Sequence, residues 1–153
     1  MSIQSIPMCP STVFLNQESS LMDALKLMLE NRINYVPMCN ANGCFLGIIS
    51  SRIIIRALVP HSAGVRGGLS NLKFMGDAER VMLDHLHKLE NMKAIDHAQK
   101  EIVVLDPDCP ITEAALRLTQ GVSSLPVVGK DSKLRGMLSH RALLAYLMQR
   151  SGS

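Results

Sequence analysis

Between residues 19 and 32 the segment SSLMDALKLMLENR sets its apolar side chains at helical spacing behind a serine cap, which predicts an amphipathic helix. The short β-rich run TVFLN (12–16) precedes it, and the extended NYVPMC (34–39) follows. Asn42-Gly43 then signals a hairpin before CFLGIIS, and SRIIIRALV reads as a short helix. The second half runs the same way. IVVLD (102–106) is the strand and PITEAALRLTQG (110–121) the helix, with proline suited to its first turn. SLPVVG, KLRGML and HRALLAYLMQR complete the series. The predicted fold is therefore α/β (α+β), two tandem β-α-β-β-α repeats.

The duplication is sharpest at the strand-to-helix corners, GIISSRIIIRAL (47–58) and GMLSHRALLAYL (136–147). Pro37 and Pro126 precede Gly47 and Gly136 by the same distance, so the copies stay in register from strand to final helix. Upstream, Ala114 lies one residue closer to Pro126 than Ala24 does to Pro37, which predicts a shorter helix-to-strand connection in the second copy. Repeat 1 is assigned to 1–59 and repeat 2 to 93–150, with a crossover over 60–92 that begins as a glycine-containing loop and ends in a helix. Met82, Leu86 and Leu89 share one face of that helix, Val81 lies near it, and Asp77 is its expected cap. Such a face suits packing against the repeats better than a free tether.

Composition narrows the function. A chain of 153 residues buries roughly 68–70% of its unfolded surface without a disulfide or metal staple. Aromatics are 3% and tryptophan is absent, which argues against base stacking and hence nucleic acid. The net charge of +3 is dispersed, so a few local arginines facing a small anion fit it better than a polyanion tract does. No basic leader and no apolar run of membrane-spanning length appear, so a soluble, cytoplasmic chain without membrane insertion is expected. Cys9, Cys39, Cys44 and Cys109 form no CxxC pair. Cys39 and Cys44 flank the turn NANG and could approach across a hairpin, but free thiols suit a reducing compartment better. His85 and His87 are two apart on a helix and point in different directions, which argues against a shared metal. With no nucleophile–base pair or metal cluster in view, a non-enzymatic role is expected.

The two copies, ALKLMLENRINYVPMCNANGCFLGIISSR and AALRLTQGVSSLPVVGKDSKLRGMLSHR, together resemble the cystathionine-β-synthase (CBS) domain pair, or Bateman module. The resemblance implies two sheets packed about a pseudo-twofold axis, with two clefts between the copies. It also implies a homodimer through the helices, parallel or antiparallel, and a regulated partner protein. Apolar faces on the last helix (Leu143, Leu144, Leu147, Met148) and its counterpart (Ile53, Ile54, Ile55, Leu58) are consistent with such a dimer.

Family members commonly bind adenosine-containing ligands, so AMP, ADP, ATP or another adenosyl ligand is implied. In their corner motif a hydroxyl residue and the helix amino terminus face phosphate, while an aspartate three residues on accepts from the ribose diol. Here Ser50 and Ser139 hold the hydroxyl position, but Ile53 and Ala142 stand where the aspartate would be. Losing a hydrogen bond to a charged group weakens a ligand roughly 10- to 150-fold. Arg52, His140 and Arg141, at the first helical turns, are the candidate compensating cations, or alternatively solvated helix-end residues. The resemblance puts a base against Ser11, Thr12 and Val13 in one cleft and Lys100, Ile102 and Val103 in the other, with Tyr35 and Ser124 on the walls; plain β-structure is the competing reading for each. His61, Arg66 and the glycines 64, 67 and 68 form either a lid or an irregular loop. Two functions follow: a regulatory nucleotide-sensing module, or a ligand-free dimerisation module that regulates or scaffolds a partner.

Overall fold

The computed structural model describes residues 2–7, 13–60 and 75–152. Ser11, Thr12, Cys9, and the loop residues His61, Gly64, Arg66, Gly67 and Gly68 lie outside them, as does the Asp77 side chain. Repeat 1 supplies helix α1 (Leu21–Asn31), strands β1 (Tyr35–Cys39) and β2 (Phe45–Ser50), and helix α2 (Ser51–Leu58). Helix α3 (Met75–Lys88) belongs to the crossover. Repeat 2 supplies α4 (Ile111–Leu118), β3 (Ser124–Val128), β4 (Leu134–Ser139) and α5 (His140–Ser151). β1 pairs with β2 and β3 with β4, giving two small sheets in a mixed α/β chain.

The expected first strands shrink to one residue each. Leu15 forms a parallel bridge to Met38 and Leu105 to Val127, and no longer run develops among the described residues. Both leucines use the same pair of bonds. The Leu15 amide donates to the Pro37 carbonyl and the Leu15 carbonyl accepts in return from the Cys39 amide, while Leu105 does the same with Pro126 and Val128. In repeat 2 a turn cuts the strand short: the Asp108 amide donates to Asp106 Oδ1 (2.8 Å), and Pro107 between them has no N–H for a ladder.

The α4 region also departs from expectation. α4 ends at Leu118 because the Thr119 amide and hydroxyl both donate to the Leu116 carbonyl (3.1 and 2.6 Å), and Gly121 then turns the chain at φ 89°. It is the helix that is shorter than α1, and the connection to the strand is longer.

Packing divides the chain differently from the repeats. One compact unit comprises Met1–Asn16, Pro37–Ile48 and Gln99–Ser153, the other Gln17–Val36 and Ile49–Ala98. In the first, Ile3 and Ile6 are buried with Leu105, Leu118, Leu125, Val127, Leu138, Leu143 and Tyr146. The Ile3 amide donates to the Cys109 carbonyl, so the amino-terminal segment packs beside repeat 2. In the second unit the matching segment after α3 does the same for repeat 1: the Leu21 amide donates to Met92 O, and the Ala94 amide to Ser19 O. A short 3-10 turn sits in each segment, at Ile3–Ser5 and Ala94–Asp96. Each repeat's lead-in is thus exchanged. Helix α3 packs on α2, with the ring Nδ1 of His85 3.1 Å from the Leu58 carbonyl. Since a carbonyl only accepts, that nitrogen carries the proton.

Both hairpins turn through three residues, the first of them at the Asn42-Gly43 signal. The Gly43 amide donates to Asn40 O and the Asn40 amide to Cys44 O; Ser132, Gly129 and Lys133 repeat the pattern. Gly43 sits at φ 83°, and Ser132 occupies the same left-handed position at φ 67°. Within the first unit the two tips are joined reciprocally, Phe45 N to Ser132 O (2.9 Å) and Leu134 N to Gly43 O (3.1 Å). Repeat equivalence exchanges these two bonds, so the tips meet about a local twofold.

A β-carbon at Gly43 would touch nothing within 4 Å, so only backbone strain opposes one there. Gly43→Ala is expected to lose about 1 kcal/mol, and Ser132→Gly to gain about 0.5 kcal/mol after glycine's unfolded-state entropy is subtracted. Urea denaturation of both variants checks this; an equal loss in each would contradict the left-handed assignment at Ser132.

Candidate functional site

The duplicated corners are built by the caps of α2 and α5. Ser50 and Ser139 take nearly identical extended conformations (φ −100°, ψ 161° and φ −100°, ψ 164°). Their Oγ atoms accept from the amides of Ile53 (3.3 Å) and Ala142 (3.1 Å). The first amide of each helix is also committed, Ser51 N to Asn34 O and His140 N to Ser123 O, both at 2.9 Å. Only the second amide, that of Arg52 or Arg141, has no acceptor among the described residues.

Charge at these corners is one-sided. Neither helix has an acidic residue in its first turn, whereas α1 carries a full capping box in which Asp23 Oδ2 accepts from the Ser20 amide (2.9 Å). Arg52 and Arg141 are exposed and form no ion pair among the described residues. A cation at a helix amino terminus is unfavourable against the dipole, and an incoming anion would relieve that cost. His140 is differently employed: its Nε2 lies 2.7 Å from Leu118 O and must donate to it, tying the ring to the end of α4.

The remaining candidates separate between the two units. Tyr35, half-buried, opens β1 next to Asn34, whose carbonyl receives the Ser51 amide, so Tyr35, Ser50 and Arg52 share one corner. Ser124 pairs with Ser139 across β3 and β4, so Ser124, Ser139, His140 and Arg141 share the other. Val13 and Ile102 are half-buried and Lys100 is exposed; no hydrogen bond links any of them to the Ser139 corner. Val103 lines a cleft of about 420 Å³ in which Asp106, Asp108 and Glu113 face the cations Arg117 and Lys130, a setting of mixed charge. Arg56, one turn beyond Arg52 on α2, had escaped notice although the four-residue spacing signals a shared face.

The described thiols, Cys39, Cys44 and Cys109, are free. Burial, with a smaller contribution from Cys44, pushes the Cys39 thiol up to about 11. Burial and neighbouring Glu113 also raise that of Cys109, so neither is primed as a nucleophile. No cluster of three or more metal-ligating side chains occurs among the described residues.

The CBS-domain family profile matches residues 3–60 and 93–149. The chain belongs to the CBS-domain family. A relative, an uncharacterized protein of Methanocaldococcus jannaschii, is 28% identical over 97% of this CBS pair and 92% of its own length. A homoserine O-acetyltransferase of Methanococcoides burtonii is 26% identical over 81% of this chain but only 20% of the enzyme. Among solved structures, the CBS-pair protein CBSX2 from Arabidopsis thaliana superposes with a TM-score of 0.75 at 19% identity, covering 99% of this chain and 97% of that one. A structure of CBSX2 in complex with AMP gives 0.70 at 20% identity, with 98% of each chain covered. At these identities the likeness establishes the fold, and the corner chemistry of this CBS pair rests on its own residues.

The caps should be felt in stability. Ser50→Ala and Ser139→Ala are each expected to cost about 1 kcal/mol, with the buried Ser50 at the higher end. Thermal or urea unfolding checks it, and unchanged midpoints would show that the hydroxyls are not needed by the helices.

Proposed function

We propose that this CBS pair is a regulatory binding module for an adenine nucleotide or a related phosphorylated ligand, held at the Ser50-x-Arg52 and Ser139-x-Arg141 turns. The observation that carries this reading is that the amide and guanidinium of Arg52 and Arg141 have no partner among the described residues, repeated in both copies without a carboxylate in either first turn. An arginine can grip phosphate with two parallel donors beside the helix amino terminus. AMP, ADP, ATP or another adenosyl ligand fits this scheme, and the complex of the similarly folded CBSX2 with AMP supports it. With Ile53 and Ala142 at the ribose-acceptor positions, recognition rests on phosphate and base, and affinity is modest.

A second reading, a ligand-free module that dimerises and regulates or scaffolds a partner, is favoured by one observation: both serine hydroxyls are already engaged as caps. Either way a homodimer through α2 and α5 is proposed, since Ile55, Leu144 and Met148 expose 56, 63 and 75% of their surface. No helix among the described residues is long and apolar enough to cross a membrane, which suits a cytoplasmic regulator.

Thermal-shift titration with AMP, ADP, ATP, S-adenosylmethionine, NAD and cyclic dinucleotides separates the readings. A true ligand at a hundred times its dissociation constant stabilises by about 2.7 kcal/mol. The sensing reading predicts such a shift for at least one nucleotide. It also predicts loss of the shift in Arg52→Ala/Arg141→Ala and a 10- to 150-fold tighter site, roughly, in Ala142→Asp. No shift with any of them leaves the scaffold reading.

A further inference from the structure

The sequence contains a single Asn-Gly pair, Asn42-Gly43, and the fold sets Asn42 exposed at the tip of the β1–β2 hairpin. Such a pair carries chemistry of its own. A backbone nitrogen attacks the side-chain amide carbon of a preceding asparagine most readily when it belongs to glycine, which has no β-carbon to obstruct the approach. Beyond its chain neighbours, nothing lies within 4 Å of where a Gly43 β-carbon would stand. Asn40 holds the nitrogen back. Its carbonyl accepts from the Gly43 amide (3.0 Å), and its Oδ1 accepts from the amides of Asn42 (2.9 Å) and Cys44 (3.0 Å). The second copy shows that the turn tolerates a carboxylate where Asn42 stands. Asp131 holds the equivalent place, one residue before the left-handed Ser132, and its Oδ1 accepts from the Lys133 amide (3.1 Å).

We propose that Asn42 is a self-modifying site whose rate is set by the Asn40 bonds. When the turn opens, the Gly43 nitrogen bonds to Asn42 Cγ, and the side-chain nitrogen leaves as ammonia, carrying away the proton that the Gly43 amide gives up. Water then opens the resulting five-membered imide at either carbonyl, giving an aspartate through one and an isoaspartyl link through the other. The isoaspartyl link adds a methylene to the main chain just before Gly43, whose carbonyl accepts from Leu134 N (3.1 Å) where the two hairpin tips join. Modification therefore loosens that junction.

Incubation of the full chain at mildly alkaline pH, followed by peptide mass mapping and labelling with an isoaspartyl methyltransferase, tests the proposal. Conversion is expected at Asn42 ahead of every other asparagine. Asn40→Ala should speed it roughly 5-fold for each hydrogen bond lost, whereas Asn40→Asp, which keeps the acceptor, should leave it near the original rate. Urea below the unfolding midpoint opens the turn without any substitution and should speed it too. Hydrogen exchange at the Leu134 amide should quicken in the isoaspartyl fraction and stay slow in Asn42→Asp. An Asn42 that stays intact in the folded chain while the unfolded chain converts, or a rate indifferent to both Asn40→Ala and urea, would overturn the proposal.

Discussion

The cap hydrogen bonds from the Ile53 amide to Ser50 Oγ and from the Ala142 amide to Ser139 Oγ are the constraint on which both corners depend. Each lets a strand residue in extended geometry close the first turn of the following helix without a loop. The same bond decides what remains for chemistry: with the first and third amides taken, the arginine amide and guanidinium are left without a partner among the described residues. In α1 an aspartate completes the capping box, whereas α2 and α5 leave that position apolar. With no carboxylate there the helix dipole lacks a favourable partner, so an anion from outside has more to contribute.

Duplication is carried by backbone as much as by side chains. Leu15 and Leu105 hand identical bonds to the strands that contain Pro37 and Pro126, and the two hairpin tips exchange bonds about their local twofold. Ser132 holds the same left-handed backbone that Gly43 adopts easily, so the two turns share a geometry although only the first has glycine there. The compact units cut across the repeats because the amino-terminal lead-in packs beside repeat 2 and the β1–β2 hairpin is bonded to the repeat 2 hairpin.

Helices and hairpins were legible because their periodicities differ and their caps and turns are chemically marked, as at Ser20, Ser50, Gly43 and Ser139. The first strands were not. VVL reads as strand by composition, yet Val103 and Val104 are exposed and only Leu105 finds a partner, a matter of tertiary register that propensity does not encode. The role of Ile3 and Ile6 was equally hidden, since their core residues come from the far end of the chain. At the site, the Ser-x-Arg repetition was readable, but the employment of His140 depends on the Leu118 carbonyl, made available because α4 stops early.

The central claim is that the serines hold the helices while the neighbouring arginines face the ligand, and a crystal structure of the chain grown with AMP tests it most directly. The account predicts phosphate oxygens within hydrogen-bond distance of the amide or guanidinium of Arg52 or Arg141, with Ser50 and Ser139 still accepting from Ile53 and Ala142. A phosphate held by either serine hydroxyl after that cap has broken, or bound away from both arginines, would contradict it.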